Sequence, residues 1–281
     1  MFVLFRLLGH APLSWLHRLG ALMGLFVYFA SPRYRRHLRD NLAQAGLPET
    51  LVLPAAREAG KQALELLRIW LRQHDETVAQ VVEILGREHL AAALREAGEN
   101  GKGILYLTPH LGCFEITAQY LATLGDISVL YRPPRQKILQ RLILTGRKRD
   151  RLHLATADLA GVRVLLKALK RGEAVGLLPD QAPRAGEGEW LDFFGRPAYT
   201  MTLAARLSET AGTTLLVWGE RLPDGRGYRL HFSPPRASLT GDTRTRAQQI
   251  NREIETLIRQ CPAQYLWGYN RYKGRHEQHH E

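Results

Sequence analysis

Apolar residues in this chain fall into short unbroken runs separated by longer stretches with helical spacing. Gly103-Ile104-Leu105-Tyr106-Leu107 is such a run, and it reads as a buried strand. Val81 to Leu85, Ile127 to Tyr131 and Ala174 to Leu178 read the same way. Between them, Pro54 to His74 carries Ala59, Ala63, Leu66, Leu67, Trp70 and Leu71 at helical intervals. Glu88 to Ala97, Ile116 to Leu124, Ala157 to Lys170, Thr202 to Ala211 and Thr243 to Gln260 also read as helices. Thr213 to Glu220 and Tyr228 to Phe232 flank Pro223-Asp224-Gly225-Arg226-Gly227, the turn chemistry of a hairpin. Alternation of strand, helix and strand predicts parallel pairing with right-handed crossovers, starting with the unit from Val81 to Leu107. The expected fold is therefore α/β: a mixed, mostly parallel central sheet flanked by helices.

The N-terminus has a different pattern. Met1 to Phe5 is apolar, and Leu19 to Ala30 is nearly free of charge but only twelve residues long. His10, His17 and Arg18 interrupt the two runs, and a spanning helix needs about 20 apolar residues. The dense basic cluster from Arg33 to Arg39 follows. Aromatic and aliphatic residues backed by arginines suit a segment lying in, or dipping through, the cytoplasmic face of a membrane. The expected organisation is a membrane-associated helical segment over 1–40, a catalytic domain over 41–275 and a disordered tail over 276–281.

The chain has 281 residues, 45% hydrophobic and 23% charged, which is a globular composition. Its net charge of +12 favours an anionic partner: nucleic acid, an anionic membrane or a phosphorylated substrate. No zinc-finger spacing, RNP signature or basic zipper occurs, so nucleic acid is not expected. No P-loop, Gly-x-Gly-x-x-Gly or Gly-x-Ser-x-Gly follows a strand, which argues against nucleotide-binding and hydrolase-elbow readings. Two cysteines, Cys113 and Cys261, make neither a disulfide framework nor a metal site. Cys113 reads as a small packed side chain.

The candidate chemistry lies in Thr108-Pro109-His110-Leu111-Gly112-Cys113-Phe114-Glu115, where a strand gives way to a helix. Loops at the carboxyl ends of strands are where open α/β folds place their chemistry. A histidine that acts as a base needs an acidic neighbour to fix its tautomer, and Glu115 is the nearest in sequence. Helical residues five apart lie about 140° apart around the axis, so pairing requires His110 to sit outside the helix and fold back over it. Arg132, Arg135, Lys137, Arg141, Arg147, Lys148, Arg149 and Arg151 form the densest positive region, opposed only by Asp150. A solvated helix face is the usual meaning of such a run; because this one follows two strands whose ends should lie near His110, phosphate binding is at least an equal expectation. Asp180 follows the strand ending at Leu178, the same topological position as His110. A turn-forming aspartate is the plainer reading of that residue.

Four ordered blocks make the sequence resemble the late acyltransferases of lipid A biosynthesis, lauroyl and myristoyl transferases within the lysophospholipid acyltransferase superfamily. They are His110 to Glu115 as His-x-x-x-x-Glu; Tyr131-Arg132-Pro133 with Gly146-Arg147-x-Arg149; Leu178-Pro179-Asp180-Gln181 with Phe193-Phe194-Gly195; and Gln264-Tyr265-Leu266-Trp267. The match runs from about Tyr34 to Lys273. Tyr269-Asn270 departs from the family, where many members carry His or Arg.

The resemblance implies a glycerolipid acyltransferase-like fold and acyl transfer from an acyl-carrier-protein thioester to a hydroxyl of a lipid A precursor. Under it His110 is the base, held by Glu115. Arg132, Arg147, Arg149, Asp180 and Gln181 bind substrate or phosphate. Backbone groups near Leu111 and Gly112, or Arg147, stabilise the oxyanion. No metal or cofactor is expected. The implied partners are acyl-carrier protein, an anionic glycolipid and the cytoplasmic face of the inner membrane. Another glycolipid or lysophospholipid acceptor, or a non-catalytic basic binding protein, are the alternatives.

Overall fold

The computed structural model describes residues 9–133, 137–147 and 149–274. The expected tail over 276–281, and Arg135 and Lys148 of the basic run, lie outside the described residues. Two helices open the described chain, α1 (Leu13–Ala30) and α2 (Pro32–Gln44), with the Ser31 hydroxyl capping α2 at Tyr34 N. A long helix, α3 (Val52–Leu71), and a short one, α4 (His74–Val78), follow. The rest alternates: β1 (Val81–Leu85), α5 (Arg87–Asn100), β2 (Ile104–Leu107), α6 (Phe114–Leu124), β3 (Ile127–Tyr131), α7 (Lys137–Gly146), β4 (Leu152–Thr156), α8 (Leu159–Lys170) and β5 (Ala174–Leu177). A hairpin of β6 (Gly188–Phe193) and β7 (Arg196–Met201), then α9 (Leu203–Thr210), β8 (Thr213–Arg221), β9 (Tyr228–Ser233) and α10 (Thr243–Gln260), complete it.

Seven strands form one sheet in the order β1-β9-β8-β2-β5-β3-β4. The pairs from β8 to β4 are parallel, the β8–β9 hairpin is antiparallel, and β1 runs parallel to β9. The mixed, mostly parallel sheet therefore matches the sequence pattern. One detail differs: β1, α5 and β2 do not make a parallel crossover unit. The chain passes over β8 and β9, so β1 lands at the sheet edge and runs opposite to β2. β2 is buried along its whole length, and the parallel strands at its sides place helices on both faces. Two buried apolar clusters result. One holds Leu105, Leu107 and Trp218 with α10; the other holds Tyr106, Ile116, Ile127 and Tyr228.

The aromatic stretch from Trp190 to Thr200 is the β6–β7 hairpin. Its turn residues Phe194 and Gly195 both have positive φ, 50° and 72°, as a tight hairpin turn requires. Phe193 and Phe194 close the core edge-to-face, with ring centroids 4.8 Å apart.

α1 lies along α3, and glycines set the closeness of the approach. A Cβ on Gly24 would stand 2.0 Å from the Ala56 carbonyl oxygen, and one on Gly60 would stand 1.9 Å from that of Gly20. The same interface buries a charged group: His17 Nε2 is 3.0 Å from Glu65 Oε2. Glu65 also accepts from Arg221 Nε and Nη2, at 2.8 and 2.6 Å, and from the Tyr228 hydroxyl at 3.2 Å. Arg221 Nη1 donates to Glu58 at 2.6 Å. Burial would push the Glu65 carboxyl up, but Arg221 outweighs it and holds the group at about 2. The other face of α1 is apolar and open: Trp15, Leu22 and Phe26 are 68%, 66% and 73% exposed. α1 is long and apolar enough to cross a membrane by length and composition.

Candidate active site

The pairing of β2 with β5 sets the site. The two strands are parallel neighbours, with Leu107 opposite Leu177, and Thr108 N extends the ladder to Leu177 O. Their carboxyl ends therefore open side by side. His110 lies three residues beyond one strand and Asp180 three beyond the other, so loops distant in sequence meet.

The meeting is specific. His110 Nδ1 lies 2.8 Å from Asp180 Oδ1, and the His110 backbone N–H donates to Asp180 Oδ2 at 2.9 Å. A carboxylate can only accept, so in the neutral ring Nδ1 carries the hydrogen and Nε2 presents a lone pair. Asp180 is 1% exposed. Burial alone would raise its carboxyl, but the His110 charge and hydrogen bonds outweigh burial and hold it below its ordinary value. The buried Tyr265 phenol beside it is pushed well up, first by burial and then by Asp180, and stays neutral. The Phe114 ring packs against the imidazole, centroids 4.9 Å apart.

Glu115 does not meet His110. It is buried in the first turn of α6 and accepts a two-pronged bond from Arg147, Nε at 2.7 Å and Nη2 at 2.6 Å. The imidazole's carboxylate is Asp180, and the expectation that Glu115 holds His110 is corrected. His110 precedes α6 by four residues and turns toward β5 rather than back over the helix. The turn-former reading of Asp180 is corrected with it. Burial works against the Arg147 charge, but Glu115 outweighs it and raises the guanidinium above its ordinary value.

The backbone of the loop carrying His110 is stitched in place from several sides. Gly112 has φ +59°, and a Cβ there would stand 2.0 Å from the Gly219 carbonyl oxygen, so only glycine fits. Gly112 N donates to Gln264 O at 3.0 Å, Leu111 N to Pro109 O at 2.7 Å and Cys113 N to Gly219 O at 2.7 Å. Leu266 N donates to His110 O at 3.1 Å, and Gln62 Nε2 to Gly112 O at 3.0 Å. The Leu111 and Gly112 amides are thus engaged, and Arg147 is the oxyanion candidate that remains. Burial pushes the Cys113 thiol well up, in keeping with a packed side chain.

A cleft of about 300 Å³ opens over this loop. His110, Phe114, Tyr131, Arg132, Arg147 and Gln181 line it, with Leu66, Trp70, Ile143 and Met201 supplying apolar wall. That volume is at the lower end for small-ligand clefts. A smaller void beneath it shares Phe114, Leu130, Arg147 and Leu178 with the cleft. Gln181, next to Asp180, places its carboxamide nitrogen 3.1 Å from His110 Nε2.

The structure therefore brings together His110, Asp180, Gln181, Arg132 and Arg147, with Glu115 directly behind Arg147. Arg149 stands apart from the cleft: it donates to Gln119 Oε1 at 3.0 Å and to the Arg72 carbonyl at 3.1 Å, bracing α6 to the end of α3. The roles of Gln62 and of the Gln264 backbone in fixing the loop were missed. The block from Gln264 to Trp267 was the available signal, although nothing local in it points to His110.

Chemically, the arrangement can take a proton at Nε2 beside an apolar cleft and cationic groups, as a group-transfer enzyme acting on an apolar substrate requires. Comparison with known proteins names the class. The family model of the bacterial lipid A biosynthesis acyltransferases matches residues 1–274. The chain belongs to that family and is an acyltransferase. It is similar to the lipid A biosynthesis lauroyltransferase of Escherichia coli K12, 28% identical over 277 residues, covering 95% of this chain and 88% of that protein. It also resembles the palmitoleoyltransferase of the same organism, 26% identical over 231 residues (81% and 72% of the two chains). The E. coli K12 myristoyltransferase is 26% identical over 180 residues (62% and 54%).

Proposed function

We propose that this enzyme moves a fatty acyl chain from an acyl-carrier-protein thioester to a hydroxyl of a lipid A precursor, on the cytoplasmic face of the inner membrane. His110 Nε2 removes the hydroxyl proton as the oxygen attacks the thioester carbonyl. Asp180 keeps the imidazole in the right tautomer and stabilises the imidazolium. The tetrahedral intermediate collapses with loss of the thiolate, which takes the proton back from Nε2. No covalent enzyme intermediate is required, because the acceptor alcohol is itself the nucleophile.

Arg147 is the cationic donor for the developing oxyanion, and Glu115 fixes its orientation: the two-pronged pair occupies Nε and Nη2 and leaves Nη1 for the ligand. Exposed Arg132, at the cleft rim, faces the anionic groups of donor or acceptor. The exposed aromatic face of α1 rests in the lipid surface, while the opposite face stays packed on α3. The observation that carries the proposal is the His110–Asp180 pair beneath the cleft. It is tested with purified protein, acyl-carrier-protein thioester and a tetra-acylated, Kdo-bearing lipid A precursor. His110→Ala abolishes transfer and leaves the thermal melt nearly unchanged. A variant that keeps most of its activity refutes the assignment of the base.

A further inference from the structure

Two consecutive residues grip the two nitrogens of one imidazole. Asp180 takes Nδ1, and the Gln181 carboxamide faces Nε2 at 3.1 Å. In the neutral ring, with the Nδ1 hydrogen committed to a carboxylate, Nε2 has only a lone pair to offer. The Gln181 group facing it must therefore be the amino donor, not the carbonyl. The electron pair that would accept a substrate proton is thus already engaged, inside the cleft.

For an acyl thioester, hydrolysis and transfer differ only in whose O–H gives up the proton. In hydrolysis, Nε2 takes a proton from water and the water oxygen bonds to the carbonyl carbon. The C–S bond then breaks, the thiolate recovers the proton, and a free fatty acid is lost. A tethered amide beside the ring out-competes a diffusing water for the lone pair. A hydroxyl already held in the cleft has the effective concentration needed to displace the amide. We propose that Gln181 is a specificity-determining residue that caps Nε2 until the acceptor hydroxyl displaces it, and so favours acyl transfer over hydrolysis of the donor. This rests on His110 being the base.

The experiment uses the full chain and the dodecanoyl thioester of acyl-carrier protein, with and without a tetra-acylated lipid A precursor. Free fatty acid and acylated lipid are both quantified. Gln181→Met keeps the length of the side chain and removes the donor. The ratio of hydrolysis to transfer then rises several-fold, up to about tenfold, the range that one hydrogen bond of ordinary net strength controls. Gln181→Glu places an acceptor of negative charge at Nε2 and favours the charged ring, so the acid limb of the transfer profile moves to higher pH. An unchanged ratio in Gln181→Met, or a proportional fall of both products, overturns the proposal. So does an unshifted pH profile in Gln181→Glu, which keeps the test open if the Met variant fails to fold. His110→Ala separates the two levels. If it retains transfer, the base assignment fails. If it loses both products while Gln181→Met leaves the ratio unchanged, only the role of Gln181 fails.

Discussion

Asp180→Asn is the sharpest perturbation of the site, because it preserves shape while removing the negative charge and the ability to accept twice. Asp180 accepts from two donors, the His110 backbone N–H at 2.9 Å and Nδ1 at 2.8 Å. An asparagine has one acceptor oxygen. If that oxygen faces Nδ1, the amide NH₂ faces the backbone N–H, leaving two buried donors opposed. If it faces the backbone N–H, the NH₂ faces Nδ1, which must then be the bare nitrogen. The second arrangement is the cheaper one, and it moves the imidazole hydrogen to Nε2. The base then presents a donor where a lone pair is needed. Replacing the aspartate of a serine-protease triad by asparagine lowers turnover by about 10⁴ through the same tautomer change. A loss of about 10³ to 10⁴ is expected here, equivalent to roughly 4 to 5 kcal/mol of transition-state stabilisation. Initial rates of transfer with saturating acyl donor, measured beside a thermal melt of the same preparation, provide the assay. A melt close to that of the parent and more than about a tenth of the parent rate would refute the tautomer argument. The carboxylate would then be a packing group.

Three further outcomes follow from the fold. Replacing Leu22 and Phe26 on the open face of α1 with serine removes two large apolar side chains from any lipid contact, worth about 3 kcal/mol together. Sedimentation with anionic vesicles should show roughly a hundredfold weaker binding, with an unchanged melt; unaltered binding would refute this face of α1 as a membrane contact. The Glu65 carboxyl, held at about 2 against an ordinary 4.5, contributes stability that is fully present above pH 4.5 and lost as pH falls toward 2. The contribution is on the order of 3 kcal/mol. Denaturant titrations across that window should show the loss, and Arg221→Met, which strands Glu65 without its main partner, should cost about 3 to 5 kcal/mol at neutral pH. A neutral effect of that substitution would mean the buried charges are not sustained by one another.

How much of this was legible beforehand depended on the range of the interaction. β2, β3 and β5 are buried on both faces, so they appear as apolar runs and were readable directly. β4 was missed, because it is an edge strand in which only Leu152 and Ala155 are buried, and the surrounding positive charge masks so short a signal. The direction of β1 was misjudged because its partner, β9, arrives some 140 residues later. The same logic explains the site. His110 was identified from its place at a strand end, but its carboxylate was assigned to Glu115, five residues away. Asp180 is seventy residues away in sequence and is brought adjacent only by β2 pairing with β5. The basic run was read as a phosphate surface, yet Arg147 pairs with Glu115, and Arg149 is turned to Gln119 and the end of α3.

The hydrogen bonds from Leu266 to His110 and from Gly112 to Gln264 span over 150 residues of chain. During synthesis the histidine therefore leaves the ribosome long before the segment that fixes its backbone. A nascent chain stalled before Gln264 would hold α1, the sheet and every charged group of the cleft, yet the loop carrying His110 would lack two of the bonds that seat it. Completion of the site is thus coupled to docking of the segment from Gln264 to Leu266, which is made only after every strand of the sheet.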